Sequence, residues 1–84
     1  MYHYSKSIAW QQFDNCIYII DNKEEQVYCL ENEISKFIWK NIDGKDKKDI
    51  IEFCINYYQI REDNIIKDIK AFVEDLKKNN LIEV

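Results

Sequence analysis

The hydrophobic pattern of this chain changes period once, at Asn32, and that change limits the possible folds more than any other feature. Upstream, from Ile8 to Glu31, the period is near two and β-forming residues dominate. Ile8 to Phe13 reads as a first strand that turns at Asp14-Asn15. Cys16 to Ile20 reads as a second strand, DNKEE (21–25) as a polar turn and Gln26 to Glu31 as a third strand. Connections this short join antiparallel neighbours, because a parallel crossover needs a dozen residues or more. The second strand is apolar on both faces, with Ile17 and Ile19 on one and Cys16, Tyr18 and Ile20 on the other. One face is expected to cover helices, and the other to stay half-exposed or to meet a partner.

Downstream the spacing is helical. Asn32 is placed to cap a first helix whose apolar residues are Ile34, Phe37, Ile38 and Ile42. Asp43-Gly44 ends it. Gly44 is the only glycine in a chain without proline, and it is free to take the left-handed conformation that stops a helix. Asp46 can cap a second helix, roughly Lys47 to Tyr58, with Asp49 as a weak capping-box partner. That segment is apolar around most of its circumference and is expected to be the most buried helix. A third helix opens at Glu62-Asp63 and closes at Lys77-Lys78, charges that suit its two ends. Its apolar stripe is Ile65, Ile66, Ile69, Phe72, Val73 and Leu76. Asn79 or Asn80 can supply the left-handed stop, and Leu81 to Val84 runs off extended. Three strands followed by three helices, two of them hinged at Gly44, predict an α+β fold: a three-stranded antiparallel sheet on a winged helix-turn-helix-like unit.

Size and charge narrow the function. Residues 1–84 suffice for a single domain, and one this small buries roughly 60–65% of its unfolded surface. The net charge of −4 and pI near 4.9 speak against nucleic acid and anionic membranes, since phosphate binding needs Lys and Arg gathered on one face. The most basic window, KDKK (45–48), is interleaved with Asp43, Asp46 and Asp49. The longest purely apolar run, Ile17 to Ile20, is too short to span a bilayer, and MYHYSKSIAW lacks a signal peptide's order of basic then apolar residues. Cys16, Cys29 and Cys54 have no CxxC spacing and no histidine near them, so they read as buried free thiols rather than a metal site. This fits a reducing, cytoplasmic location.

Catalysis finds little to work with. There is no glycine-rich phosphate loop and no HExxH, and the one histidine, His3, lies in a terminus expected to fray. The carboxylates fall at helix starts, turns and exposed faces. A helix-turn-helix raises the possibility of DNA, with the third helix as reader. Its Lys67, Lys70, Lys77 and Lys78 are mixed with Asp68, Glu74 and Asp75, which would face phosphates of like sign.

Four stretches then share the spacing of a known family: VYCLEN (27–32), FIWKNIDG (37–44), DIIEF (49–53) and DIKAFVEDLKKNNLI (68–82). Together they resemble the PqqD-like family of small winged-helix domains that recognise precursor peptides in the biosynthesis of ribosomally made, post-translationally modified peptides. Two departures stand out: Asn80 occupies a position that is commonly glycine, and Glu31 separates Leu30 from Asn32. The resemblance implies a non-catalytic protein without cofactor that takes up a leader peptide as an added strand, in the groove between the third strand and the third helix. Carried onto this chain, the edge is Gln26, Val27, Tyr28, Cys29 and Leu30, and the opposing wall is Ile65, Asp68, Phe72 and Asp75. Of the edge residues, Tyr28 and Leu30 are expected to face the helices. A separate modifying enzyme is implied as partner: a radical-type maturase, a lasso-type leader protease or a dehydratase. Two other readings stay open, a winged-helix DNA-binding regulator and a structural subunit that dimerises through the outer sheet face.

Overall fold

The computed structural model describes residues 1–84. In chain order the elements are β1 (His3–Tyr4), β2 (Ile8–Phe13), β3 (Cys16–Asp21), β4 (Gln26–Leu30), α1 (Glu33–Asn41), α2 (Lys47–Tyr58), α3 (Asp63–Lys78) and β5 (Ile82–Glu83). The anticipated α+β order is present: a three-stranded antiparallel sheet, β2-β3-β4, followed by three helices. The expected third strand is β4.

Local chemistry sets the sheet register. Asp14 and Asn15 both have positive φ, 52° and 65°, as a two-residue type I′ hairpin turn requires, and Phe13 lies opposite Cys16. At the next turn the buried Asp21 accepts hydrogen bonds at Oδ1 from the N–H groups of Lys23 (3.0 Å) and Glu24 (3.3 Å). That turn aligns β4 so that Ile19 faces Tyr28 and Ile17 faces Leu30. Cross-strand partners share a face, so Ile17, Ile19, Tyr28 and Leu30 point together toward the helices. Ile17 and Ile19 are fully buried, with Tyr28 and Leu30 packed against the same core. The other face carries Phe13, Ile20, Val27 and Cys29, all exposed.

Asn32 caps α1 as its position suggested, accepting from Ile34 N–H (2.9 Å) and Ser35 N–H (3.2 Å). Gly44 takes φ +83°, and its turn does more than stop a helix. Gly44 N–H donates to the Tyr2 carbonyl (2.7 Å) and Tyr2 N–H donates to the Lys45 carbonyl (2.8 Å), so the turn receives the first residues of the chain. Asp46 stands at the N-cap of α2 but makes no side-chain cap bond. Asn80, at φ 59°, supplies the left-handed stop after α3, and Leu81 N–H returns to the Leu76 carbonyl (2.9 Å).

Three expectations are corrected. The N-terminus does not fray: β1 pairs antiparallel with β5, His3 opposite Glu83 and Tyr4 opposite Ile82, so the final residues are not a loose extension either. Two-residue strands have no periodicity to read, and each closes only on a partner about eighty residues away. Nor is α2 the most buried helix, because Phe53, Tyr57 and Tyr58 are exposed. Their rings instead form a surface cluster around Phe37 of α1, with centroids 4.6 Å (Tyr57) and 5.2 Å (Phe53, Tyr58) away. In a chain this short no second layer exists to cover that side. Of the thiols only Cys54 is buried; Cys16 is half-buried and Cys29 exposed. Strand alternation puts both of the latter on the outer face.

Candidate functional site

The edge of β4 away from β3 has no strand partner, since β4 ends the order β2-β3-β4. An edge of this kind offers unpaired N–H and C=O groups to an incoming extended chain. Beyond Leu30 the chain turns through Glu31 and Asn32 into α1. There the first turn of α1 and the face of α3 enclose a cavity of about 330 Å³. Ile34, Ile38, Ile65, Ile69 and Phe72 give it an apolar lining, and Asn32, Ser35 and Asp68 add polar groups. Ile34, Ile65 and Phe72 are half-buried, whereas Ile38 and Ile69 belong to the core. The site is thus an apolar trough with one carboxylate, that of Asp68.

The local sequence explains this arrangement. Ile65, Asp68, Ile69 and Phe72 recur at i, i+3, i+4 and i+7, which is one face of α3. Ile69, Val73 and Leu76 carry the buried stripe, so Ile65, Asp68 and Phe72 fall at its margin. On the other wall, the Asn32 cap fixes where α1 starts and therefore where Ile34 and Ser35 point.

The structure brings together three of the four wall residues read from the sequence: Ile65, Asp68 and Phe72. Asp75 lies outside the cavity, one turn further along, where its carbonyl accepts the N–H of Asn79 (2.9 Å) and the Asn79 side-chain amide (2.9 Å). Along the edge, Tyr28 and Leu30 turn toward the core as expected, and Tyr28 Oη donates to Gln26 Oε1 (2.7 Å). Val27 and Cys29 turn outward, so only their backbone can serve a chain docked at the edge. Sequence reasoning missed the α1 wall, Asn32, Ile34, Ser35 and Ile38. Its signal was the coincidence of an N-cap with a half-exposed isoleucine two residues later.

A larger depression of about 590 Å³ lies between α2 and α3. Ile51, Ile55 and Ile66 form its floor, with Lys47, Lys48, Lys70 and Glu52 around it. Lys47 there pairs with Glu74, an interaction that raises the lysine pKa and lowers that of the glutamate. All of its lining residues belong to helices α2 and α3 and none to a strand. The smaller trough next to β4 is therefore the better candidate for an extended ligand.

Comparison with known proteins bears on the fold and the family. No curated protein sequence matches significantly. Among solved structures, one described as TbiB1 in complex with the TbiA(beta) leader peptide superimposes with a TM-score of 0.78 at 17% identity, over 96% of this chain and 94% of that one. A second, lasso peptide synthetase B1 complexed with the leader peptide, gives 0.76 at 23% identity, over 99% and 98%. At these identities the likeness establishes the fold. The sequence model of the family described as coenzyme PQQ synthesis protein D (PqqD) matches residues 18–82, most of the chain, and the protein belongs to that family.

Proposed function

We propose that this protein, as a single unit spanning residues 1–84, binds the leader segment of a ribosomally made precursor peptide and presents it to a separate modifying enzyme. The observation that carries this reading is the free edge of β4 beside the apolar α1/α3 trough. Two similarly folded proteins are described as complexes with leader peptides, which supports the same use here. The leader would add antiparallel or parallel to Gln26–Leu30 through backbone hydrogen bonds. Its alternate side chains would enter the trough lined by Ile34, Ile65, Asp68 and Phe72. Backbone pairing supplies affinity with little sequence demand, and the trough supplies selection.

The reading assigns no bond-making step to the chain. His3 Nδ1 is engaged with Asp43 Oδ1 at 3.3 Å at the surface, on the β1 side of the molecule. The chemistry would belong to the partner enzyme, a radical-type maturase, a lasso-type leader protease or a dehydratase, in the cytoplasm where free cysteines persist. No helix is long and apolar enough to cross a membrane. The exposed outer face around Phe13, Ile20 and Val27 is where a second copy of the chain would dock if the protein works as a homodimer.

Heteronuclear NMR titration with the leader of a short open reading frame encoded beside the gene tests the proposal. Saturable shifts centred on Gln26–Leu30 and Ile65–Phe72 are expected. Saturable shifts confined to other elements would keep peptide binding and discard the groove. Failure to bind any such leader, together with salt-sensitive binding of duplex DNA, would overturn it in favour of a regulator.

A further inference from the structure

The outer face of the sheet holds a second cluster, unrelated to the trough. The Sγ atoms of Cys16 and Cys29 and a carboxylate oxygen of Glu31 all lie within 4.8 Å of one another. Cys29 Sγ is 3.9 Å from Glu31 Oε1. The register produces this grouping. Cys29 lies opposite Tyr18, two residues from Cys16 on the same face, and Glu31 follows one step past the Ile17–Leu30 pair, beside Cys16. None of the outward residues of the three strands (Ala9, Gln11, Phe13, Cys16, Tyr18, Ile20, Val27, Cys29) is basic, so no side chain of that set can neutralise the carboxylate or a thiolate.

We propose that Cys16, Cys29 and Glu31 form a binding site for a thiophilic divalent cation, with Zn²⁺ the best match. Two sulfurs and one carboxylate oxygen are a borderline-soft donor set, which suits zinc rather than magnesium or calcium. Tetrahedral zinc holds sulfurs at ~2.3 Å and so places them about 3.8 Å apart, and the two sulfurs here lie within 4.8 Å of each other. On binding, both thiols release their protons to solvent and the fourth position is left to water. A disulfide is the competing product of two close thiols, but the strand geometry disfavours it. Diagonal cross-strand positions have Cα atoms about 7–8 Å apart, beyond the ~6.8 Å that a disulfide tolerates. The cation would clip the end of β4 to β3 just where the chain turns into α1.

The test uses the reduced, chelator-stripped full chain titrated with Cd²⁺ and Co²⁺, read by sulfur-to-metal charge-transfer absorption. One metal per chain is expected, displaced by Zn²⁺. Cys16→Ser and Cys29→Ser should each remove most of the band, Glu31→Gln should weaken binding while leaving the band shape, and Cys54→Ser should change nothing. Zinc should also raise the unfolding midpoint of the parent protein but not of Cys29→Ser, because a ligand stabilises only the state that binds it. Absence of the band at stoichiometric Cd²⁺, its survival in Cys29→Ser, or its loss in folded Cys54→Ser would overturn the proposal. Cys29 and Glu31 are exposed and Cys16 half-buried, whereas Cys54 is buried, so each variant is compared as the folded protein, checked by circular dichroism.

Discussion

Single side chains carry two distinct jobs here, joining the fold and setting the groove's charge. Tyr4 shows the first: its hydroxyl donates to the Trp39 carbonyl, and its ring packs on Trp39 with centroids 4.6 Å apart. Burial, and then the nearby Asp43 carboxylate, push its pKa from 10.0 to about 12. An acid whose folded pKa is raised contributes stability that is complete below its unfolded pKa. That contribution is lost as pH climbs from 10 through about 12. Tyr4→Phe is therefore expected to cost about 1 kcal/mol at neutral pH, one net hydrogen bond, and to fall less steeply in stability above pH 10 than the parent. Urea titrations at a series of pH values check both. Asp68 shows the second job. It is the one charged residue lining the trough, while Asp75 lies outside it. A leader with Lys or Arg in its docking segment should thus lose affinity to Asp68→Asn and be indifferent to Asp75→Asn. Calorimetric titration of the two variants decides this, and equal effects would remove Asp68 from the site.

At the scale of elements, the turns decide how strands and helices meet. Gly44 has φ +83°, and apart from its own and its two neighbouring residues no atom lies within 4 Å of where a Cβ would stand. Gly44→Ala is therefore a conformational change without a clash, expected to cost about 1–2 kcal/mol. Thermal unfolding measures it, and a neutral result would show that the turn relaxes. The alternating and helical periods made β2, β3, β4 and all three helices legible in the sequence, because each is long enough to show its period. The αL residue Gln59, which ends α2 and sends Ile60 N–H back to the Ile55 carbonyl at 2.9 Å, was not legible. Glutamine gives no local warning of φ 52°. The groove was half legible for the same reason. One face of α3 shows in its i, i+3, i+7 spacing, whereas the α1 wall depends on how two helices pack. Cys16 and Cys29 read as core from their apolar neighbours; alternation with the helix-facing Tyr28 and Leu30 turns Cys29 outward, and the register puts Cys16 on the same outer face.

The whole molecule is closed by its ends. The first five residues touch several remote places, among them β5 through His3 and Tyr4, the Gly44 turn through Tyr2, α1 through the Tyr4–Trp39 bond, and the end of α3 through Ser5. Ser5 N–H donates to the Leu81 carbonyl (3.1 Å), and its hydroxyl donates to the Asn80 carbonyl (2.5 Å). Tyr2 and Ser5 are buried, and Leu81 and Ile82 are 2% exposed. None of these contacts reaches the β4 edge or the trough. Removing residues 1–5 should therefore reduce stability without altering the site directly. A folded domain of this size has about 4–13 kcal/mol in hand at ~0.05–0.15 kcal/mol per residue. Losing Tyr2 from the core, exposing Leu81 and Ile82 and breaking several hydrogen bonds would consume several kcal/mol of that, at ~1.5–3 kcal/mol per large apolar side chain and ~1 kcal/mol per bond. The truncated chain is expected to unfold at much lower urea, with Leu81 and Ile82 amides losing hydrogen-exchange protection first. Below its new midpoint it should bind the leader with unchanged affinity. Affinity lost while the chain remains folded would mean that the terminal strand pair also positions the groove, and that β1 and β5 are part of the recognition machinery rather than its clasp.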